Sequence, residues 1–153
     1  MLNPGDNAPD FEAKDDTGKT VSFYSLLSDK PVILYFYPKD ETPGCTTEAC
    51  SFRDNWDEFS SRGVRVIGVS SDSVESHRKF KEHRKLPFTL ISDEGAKIRK
   101  IYQATGFLIP PRISYVIGGD RKVISSYNSQ MNPTAHVKLA IEKIKSLDKP
   151  PEP

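Results

Sequence analysis

Apolar and polar positions follow two different rhythms along this chain, and the difference sorts its segments into strands and helices. PVILYFY, residues 31–37, is an unbroken apolar run of β-branched and aromatic residues closed by Pro38, the pattern of a strand buried on both faces. VRVIGVS, residues 64–70, has the same character, and the segment between the two is long enough for a helix that crosses over the sheet. Together they predict a β-α-β unit. A polar helical stretch follows near 74–85, then a short strand near Phe88–Ile91 and a helical stretch near 94–103. ISYVI and KVISSY flank GGDR and read as a hairpin, with the two glycines supplying the positive φ that tight turns require. In the last helix Val137, Ala140, Ile141, Ile144 and Leu147 recur on one face, with Lys and Glu on the other. Before the first core strand, DFEAKDDTGKTVSFYSL predicts a small hairpin turning at DDTGK, expected to cover one end of the sheet. No repeat, low-complexity tract or interior linker interrupts the series. The expectation is one α/β domain over residues 1–148 with a flexible tail at 149–153.

Size and charge narrow the function. A chain of 153 residues buries roughly two-thirds of the surface its unfolded form exposes, so it can hold a real core. Lys plus Arg number 22 against 21 for Asp plus Glu, a formal charge of +1, which gives no bulk attraction to nucleic acid or anionic membrane. A small, nearly uncharged substrate or partner fits better. The start, MLNPGDNAPDFEAKDD, has no basic lead and no apolar stretch, and no run approaches the roughly eighteen apolar residues that span a bilayer. The expectation is a soluble, cytoplasmic protein. HRKFKEHRK, residues 77–85, is interrupted by Glu82 and reads as a solvated helix face. His77, His83 and His136 lack the spacing of metal ligands and are expected on the surface. Asp72, Asp93 and Asp120 stand at element ends, where caps and turns explain them.

The candidate chemistry lies in PKDETPGCTTEAC, which holds both cysteines of the chain, Cys45 and Cys50. From Cys45 the apolar residues fall at Ala49, Phe52, Trp56 and Phe59, one narrow stripe on a single helix. Cys45 heads that buried face. At 100° per residue Cys50 lies about 140° around and about 7.5 Å along the axis. A disulfide needs Cα atoms about 4.4–6.8 Å apart with side chains facing each other, so the pair can bond only if at least a turn unwinds. Thr-Pro-Gly places Cys45 in the first helical turn, where unpaired N–H groups and the positive dipole end favour an anion such as a thiolate. Thr42 carries a hydroxyl able to donate to that sulfur or to an incoming oxygen, and Pro38 offers a rigid apolar wall with no N–H. Two isolated cysteines are often buried and inert. The turn, the stripe and the placement of both thiols on one helix favour function.

YFYPKDETPGCTTEACSFRD resembles the active-site segment of the peroxiredoxin Q or bacterioferritin-comigratory-protein group of peroxiredoxins. The family's P-x-x-x-T-x-x-C signature is matched by Pro38, Thr42 and Cys45, and its second cysteine by Cys50. The resemblance extends to PGDNAPDFEAKDDTGKTVSF, VIGVSSDS, PFTLISDEG and PRISYVI. It implies a thioredoxin-like fold, a central mixed β-sheet flanked by helices with an N-terminal hairpin. It also implies reduction of hydrogen peroxide and organic hydroperoxides with no metal or organic cofactor. In the family the first cysteine becomes a sulfenic acid, the second condenses with it to a disulfide, and a thioredoxin or similar dithiol restores both. The resemblance gives those roles to Cys45 and Cys50, and matches the family's active-site arginine to Arg112. Glu48 either orients that arginine or is an exposed carboxylate in the first turn. GFLIPP, residues 106–111, is expected to fold back on the core, the alternatives being a peroxide pocket wall or a partner contact. IGGDRKV departs from the family's usual hairpin tip, with no catalytic consequence expected. A monomer is expected. A peroxide-sensing switch on the same fold is the alternative in kind; a protein disulfide reductase is disfavoured because Cys-x-x-C is absent.

Overall fold

The computed structural model describes residues 1–106 and 109–148. The 149–153 tail and the centre of the GFLIPP loop lie outside the described residues. Seven strands form one sheet: β1 (Glu12–Asp15), β2 (Thr20–Ser22), β3 (Val32–Phe36), β4 (Arg65–Ser70), β5 (Thr89–Ser92), β6 (Ile113–Ile117) and β7 (Val123–Asn128), in the order β2-β1-β5-β4-β3-β6-β7. Strands β3, β4 and β5 run parallel, while β6 lies antiparallel to β3 and β7 to β6. The helices are α1 (Pro43–Asp54), α2 (Trp56–Ser60), α3 (Val74–Arg84), α4 (Lys97–Ile101) and α5 (Pro133–Leu147), with 3-10 turns at Tyr24–Leu26 and Glu94–Ala96.

Every residue of β3 is buried, and the alternation of side chains across a strand divides it between two cores. Val32, Leu34 and Phe36 join Ile67, Val69, Tyr102 and Tyr115 on one face. Ile33, Tyr35 and Tyr37 join Cys45, Ala49, Phe52, Phe80, Val137 and Ile144 on the other, beneath α1, α3 and α5. The carboxyl ends of the three parallel strands therefore open at one edge, the place where open α/β sheets build their sites.

Several expectations change. The N-terminal hairpin turns at Gly18 (φ 88°) as expected, but β1 pairs with β5 and extends the sheet rather than covering its end. The helix carrying the apolar stripe is broken at Asn55 (φ −107°, ψ 21°) into α1 and α2; Phe59 is buried, whereas Trp56 is only partly so. In the β6–β7 hairpin the positive φ belongs to Arg121 (69°), not to a glycine. Gly119 is there for space, because a Cβ on it would stand 2.5 Å from the Asp29 carbonyl oxygen. The described part of the 106–111 loop does not fold back: Ile109 is 61% exposed. His77 and His136 are fully buried, contrary to the surface placement expected; only His83 is exposed.

Candidate active site

Loop 38–42 leaves the end of β3 and delivers α1. Thr42 is the residue before the helix and Pro43 its first, a position where the missing N–H of proline costs nothing. The chain reverses at Glu41, which takes φ 63°. Gly44 is not the turn residue that Thr-Pro-Gly implies. A Cβ there would lie 2.9 Å from Nη2 of Arg112, so the glycine admits the arginine to the head of the helix. No side chain caps α1, and the first-turn N–H groups of Gly44 and Cys45 have no partner within the helix. The Thr42 hydroxyl donates to the Lys39 carbonyl at 2.7 Å and not to the sulfur, which corrects the donor role expected of it.

Cys45 is 1% exposed, and Arg112 Nη1 donates to its Sγ at 3.5 Å. The same nitrogen donates to Glu48 Oε1 at 2.9 Å, and Nε makes a long contact of 3.4 Å to the Gln130 carbonyl. The resemblance left Glu48 either on this arginine or in solvent; it is wholly buried and on the arginine. Burial pushes the Glu48 carboxyl up to about 8, against the opposing pull of Arg112. Burial acts to lower Arg112, but Glu48 and Cys45 outweigh it and raise the guanidinium above its ordinary value. At neutral pH the carboxyl therefore holds its proton much of the time, and the positive charge of Arg112 stays directed at the sulfur.

Sequence reasoning missed His136. Its Nε2 lies 2.8 Å from the Ser129 carbonyl and so carries the proton, leaving Nδ1 to accept from the Ser114 hydroxyl at 2.8 Å. Burial lowers it to about 4, so it is neutral at pH 7. Its Nδ1 stands 3.8 Å from Glu48 Oε2, a buried oxygen with no hydrogen-bond partner among the described residues. His136, Ala140 and Ile144 fall four residues apart on α5, and that spacing was the available signal.

A second buried cluster anchors the loop. Asp40 accepts from Tyr37 (2.5 Å) and Ser76 (2.8 Å) and lies 2.7 Å from His77 Nδ1, while His77 Nε2 lies 2.9 Å from the Ile91 carbonyl. Both ring nitrogens face acceptors. Although burial opposes the charge, the bonds to Asp40 and Ile91 raise His77 above its ordinary value. Asp72 accepts from the Asp40 N–H at 2.8 Å and from Ser70 at 2.6 Å. Asp40, Asp72 and His77 are the one group of metal-ligand type among the described residues, and they are engaged with one another. Glu41 adds an exposed strap to His83 and Arg84 of α3. Asp93 and Asp120 serve as cap and turn, as expected.

Cys50 faces away from this pocket. It is partly exposed, unpaired, and lines a cleft of about 470 Å³ with Thr46, Ser51, Asn55 and Thr134. Pro38 is partly buried beside the loop.

The AhpC/TSA family pattern matches residues 4–126. The chain is 44% identical over 149 residues to a chloroplastic peroxiredoxin Q of Sedum lineare, covering 95% of this chain and 80% of that one. It is 45% identical over 148 residues to the Arabidopsis thaliana protein of the same name, covering 95% and 68%. Among solved structures, peroxidoxin BcpB of Mycobacterium tuberculosis superposes with a TM-score of 0.91 at 36% identity, covering 97% of this chain and all of that one. A buried cysteine at a helix head, bonded by an arginine from a neighbouring strand, agrees with these likenesses: the chain belongs to the AhpC/TSA family, within its peroxiredoxin Q group of thiol-dependent peroxidases.

Proposed function

We propose that the protein reduces hydrogen peroxide and organic hydroperoxides at Cys45 and closes its cycle through a Cys45–Cys50 disulfide. The observation that carries this reading is the hydrogen bond from Arg112 to the buried Cys45 sulfur at an uncapped helix start. A thiolate there attacks the nearer peroxide oxygen; an S–O bond forms, the O–O bond breaks, and the departing oxygen takes the electron pair and a proton to leave as water or alcohol. Arg112 and the N–H groups of Gly44 and Cys45 stabilise charge as it moves along that axis. Thr42, whose own proton is held by Lys39, accepts from the peroxide O–H. Pro38 walls the pocket.

Cys50 then attacks the sulfenic sulfur, forming the disulfide and releasing water. Since both cysteines lie on the continuous helix α1, this step requires the helix to unwind, and the break at Asn55 lets α2 stay in place. A thioredoxin-type dithiol reduces the disulfide. A reducing compartment such as the cytoplasm suits this cycle; the three-residue edge strand β2 suits a monomer, and the formal charge of +1 suits the lack of a nucleic-acid or membrane partner.

The reading is tested by the rate at which hydrogen peroxide consumes the Cys45 thiol in Arg112→Lys. Lysine keeps the charge but lacks the planar fork that spans sulfur and carboxylate. The expected loss is about tenfold to a hundredfold; an unchanged rate removes Arg112 from the reaction. Glu48 adds a pH signature. As pH rises through about 8 its carboxyl ionises and competes with the thiolate for Arg112. Glu48→Gln keeps an acceptor for Arg112 and cannot ionise, so its rate relative to the unsubstituted protein should rise between about pH 7 and about pH 9. A flat ratio contradicts this role.

A further inference from the structure

Arg99 is a cation in the core whose guanidinium is bonded to no carboxylate among the described residues. It is 3% exposed, and the ring of Phe36 lies 5.6 Å from it. Burial pulls it down to about 10, still well above neutral pH, with Asp93 and Cys45 acting the other way. Asp93, at the head of the same short helix, gives its carboxylate to the backbone N–H groups of Ile98 and Arg99 instead. The hydrogen bonds of the guanidinium go to three carbonyls: Nη1 to Ala104 (2.7 Å) and Pro111 (2.9 Å), and Nη2 to Tyr37 (2.7 Å).

Two of those carbonyls mark the approaches to the site. Tyr37 precedes Pro38 and the loop that leads into the helix of Cys45; Pro111 precedes Arg112. The β3–β6 ladder stops at the pair Phe36↔Ile113. Beyond it the two segments contain Pro38 and Pro111, which have no N–H to donate, so a backbone ladder cannot continue. The fork of Arg99 supplies donors where the ladder runs out, and a planar guanidinium fixes the spacing of what it binds better than an ammonium would.

We propose that Arg99 is a positioning residue of the peroxidase site, its guanidinium tying the segment before Cys45 to the segment before Arg112 and so setting the approach of Arg112 to the sulfur. The proposal rests on the reading that Cys45 and Arg112 carry out peroxide reduction. Replacing Arg99 shifts these two segments relative to each other without touching either reacting group. Small displacements of reacting groups are enough to slow a reaction by one to two orders of magnitude.

The test is a double-mutant cycle on the rate at which hydrogen peroxide consumes the Cys45 thiol, using Arg99→Met, Arg112→Met and the pair, with thermal midpoints measured alongside. Arg99→Met should slow oxidation by about tenfold, and by less than about twofold once Arg112 is already methionine, because its effect passes through that residue. Arg99→Lys, which keeps the charge and loses the fork, should fall between Arg99→Met and the unsubstituted protein. Equal losses in both backgrounds would show that Arg99 acts only through general stability and would overturn the proposal, as would an unslowed Arg99→Met. Should Arg99→Met fail to fold, Arg99→Lys runs the same cycle with the same outcomes. If Arg112→Met alone oxidises at the full rate, it is the reading of the active site that fails.

Discussion

Cys45→Ser is expected to abolish peroxide reduction, with a loss of at least about a thousandfold, or about 4 kcal/mol in the barrier. The position has one sulfur that is 1% exposed and bonded to Arg112; Cys50, the other thiol, faces a separate cleft without that arginine. A serine hydroxyl in the same place does not ionise near neutral pH, so Arg112 and the helix start would have no anion to activate. The fold should survive. A hydroxyl can still accept from Arg112, and a substitution of nearly equal size leaves the packing of Ala49 and Phe52 intact. Peroxide consumption by Cys45→Ser, measured on protein whose thermal midpoint is close to that of the parent, checks the expectation. Retained consumption would move the reacting group elsewhere.

Cys50→Ser separates the two halves of the cycle. Its first oxidation should proceed within about twofold of the parent rate, because Cys50 is turned about 140° from Cys45 on an ideal helix. Turnover supported by a thioredoxin-type donor should fall by about a hundredfold, since the sulfenic acid then has no partner thiol in the chain and proceeds to sulfinic acid under excess peroxide. The measurement pairs a single-turnover oxidation with a steady-state assay on the same sample. Undiminished steady-state turnover would remove Cys50 from the resolving step. A slowed first oxidation would place it in the pocket instead.

Residues whose environment is set by their own segment were legible in the sequence. PVILYFY is buried on both faces and has no polar position to confuse it with anything but a central strand, and the turn at Gly18 is required by a positive φ. The Pro38, Thr42, Cys45 signature pointed to a candidate site at the head of α1, and the resemblance singled out Arg112, whose guanidinium bonds the Cys45 sulfur. What stayed hidden depends on partners far away in the chain. His77 can be buried because Asp40 and the Ile91 carbonyl lie within hydrogen-bond distance of its two ring nitrogens, and nothing in HRKFKEHRK announces them. His136 needs Ser114 and Ser129 for the same reason. The break at Asn55 was invisible because steps of three and four continue across it. Gly44 was read as a turn residue, since glycine after proline fits a turn as well as it fits the approach of a side chain from another strand. The burial of Arg99 could not be inferred at all, as its acceptors are backbone carbonyls, which every residue carries.

Because the two cysteines lie on one intact helix, the proposed cycle is mechanical: a Cys45–Cys50 disulfide consumes both thiols and requires α1 to unwind. The direct measurement is the intact mass of the reduced protein after one equivalent of hydrogen peroxide, with thiols counted before and after. The expected result is a decrease of about 2 Da with both thiols lost, the signature of a disulfide between Cys45 and Cys50. An unchanged mass with both thiols still titrating, or a mass raised by whole oxygen atoms while Cys50 remains free, would contradict it.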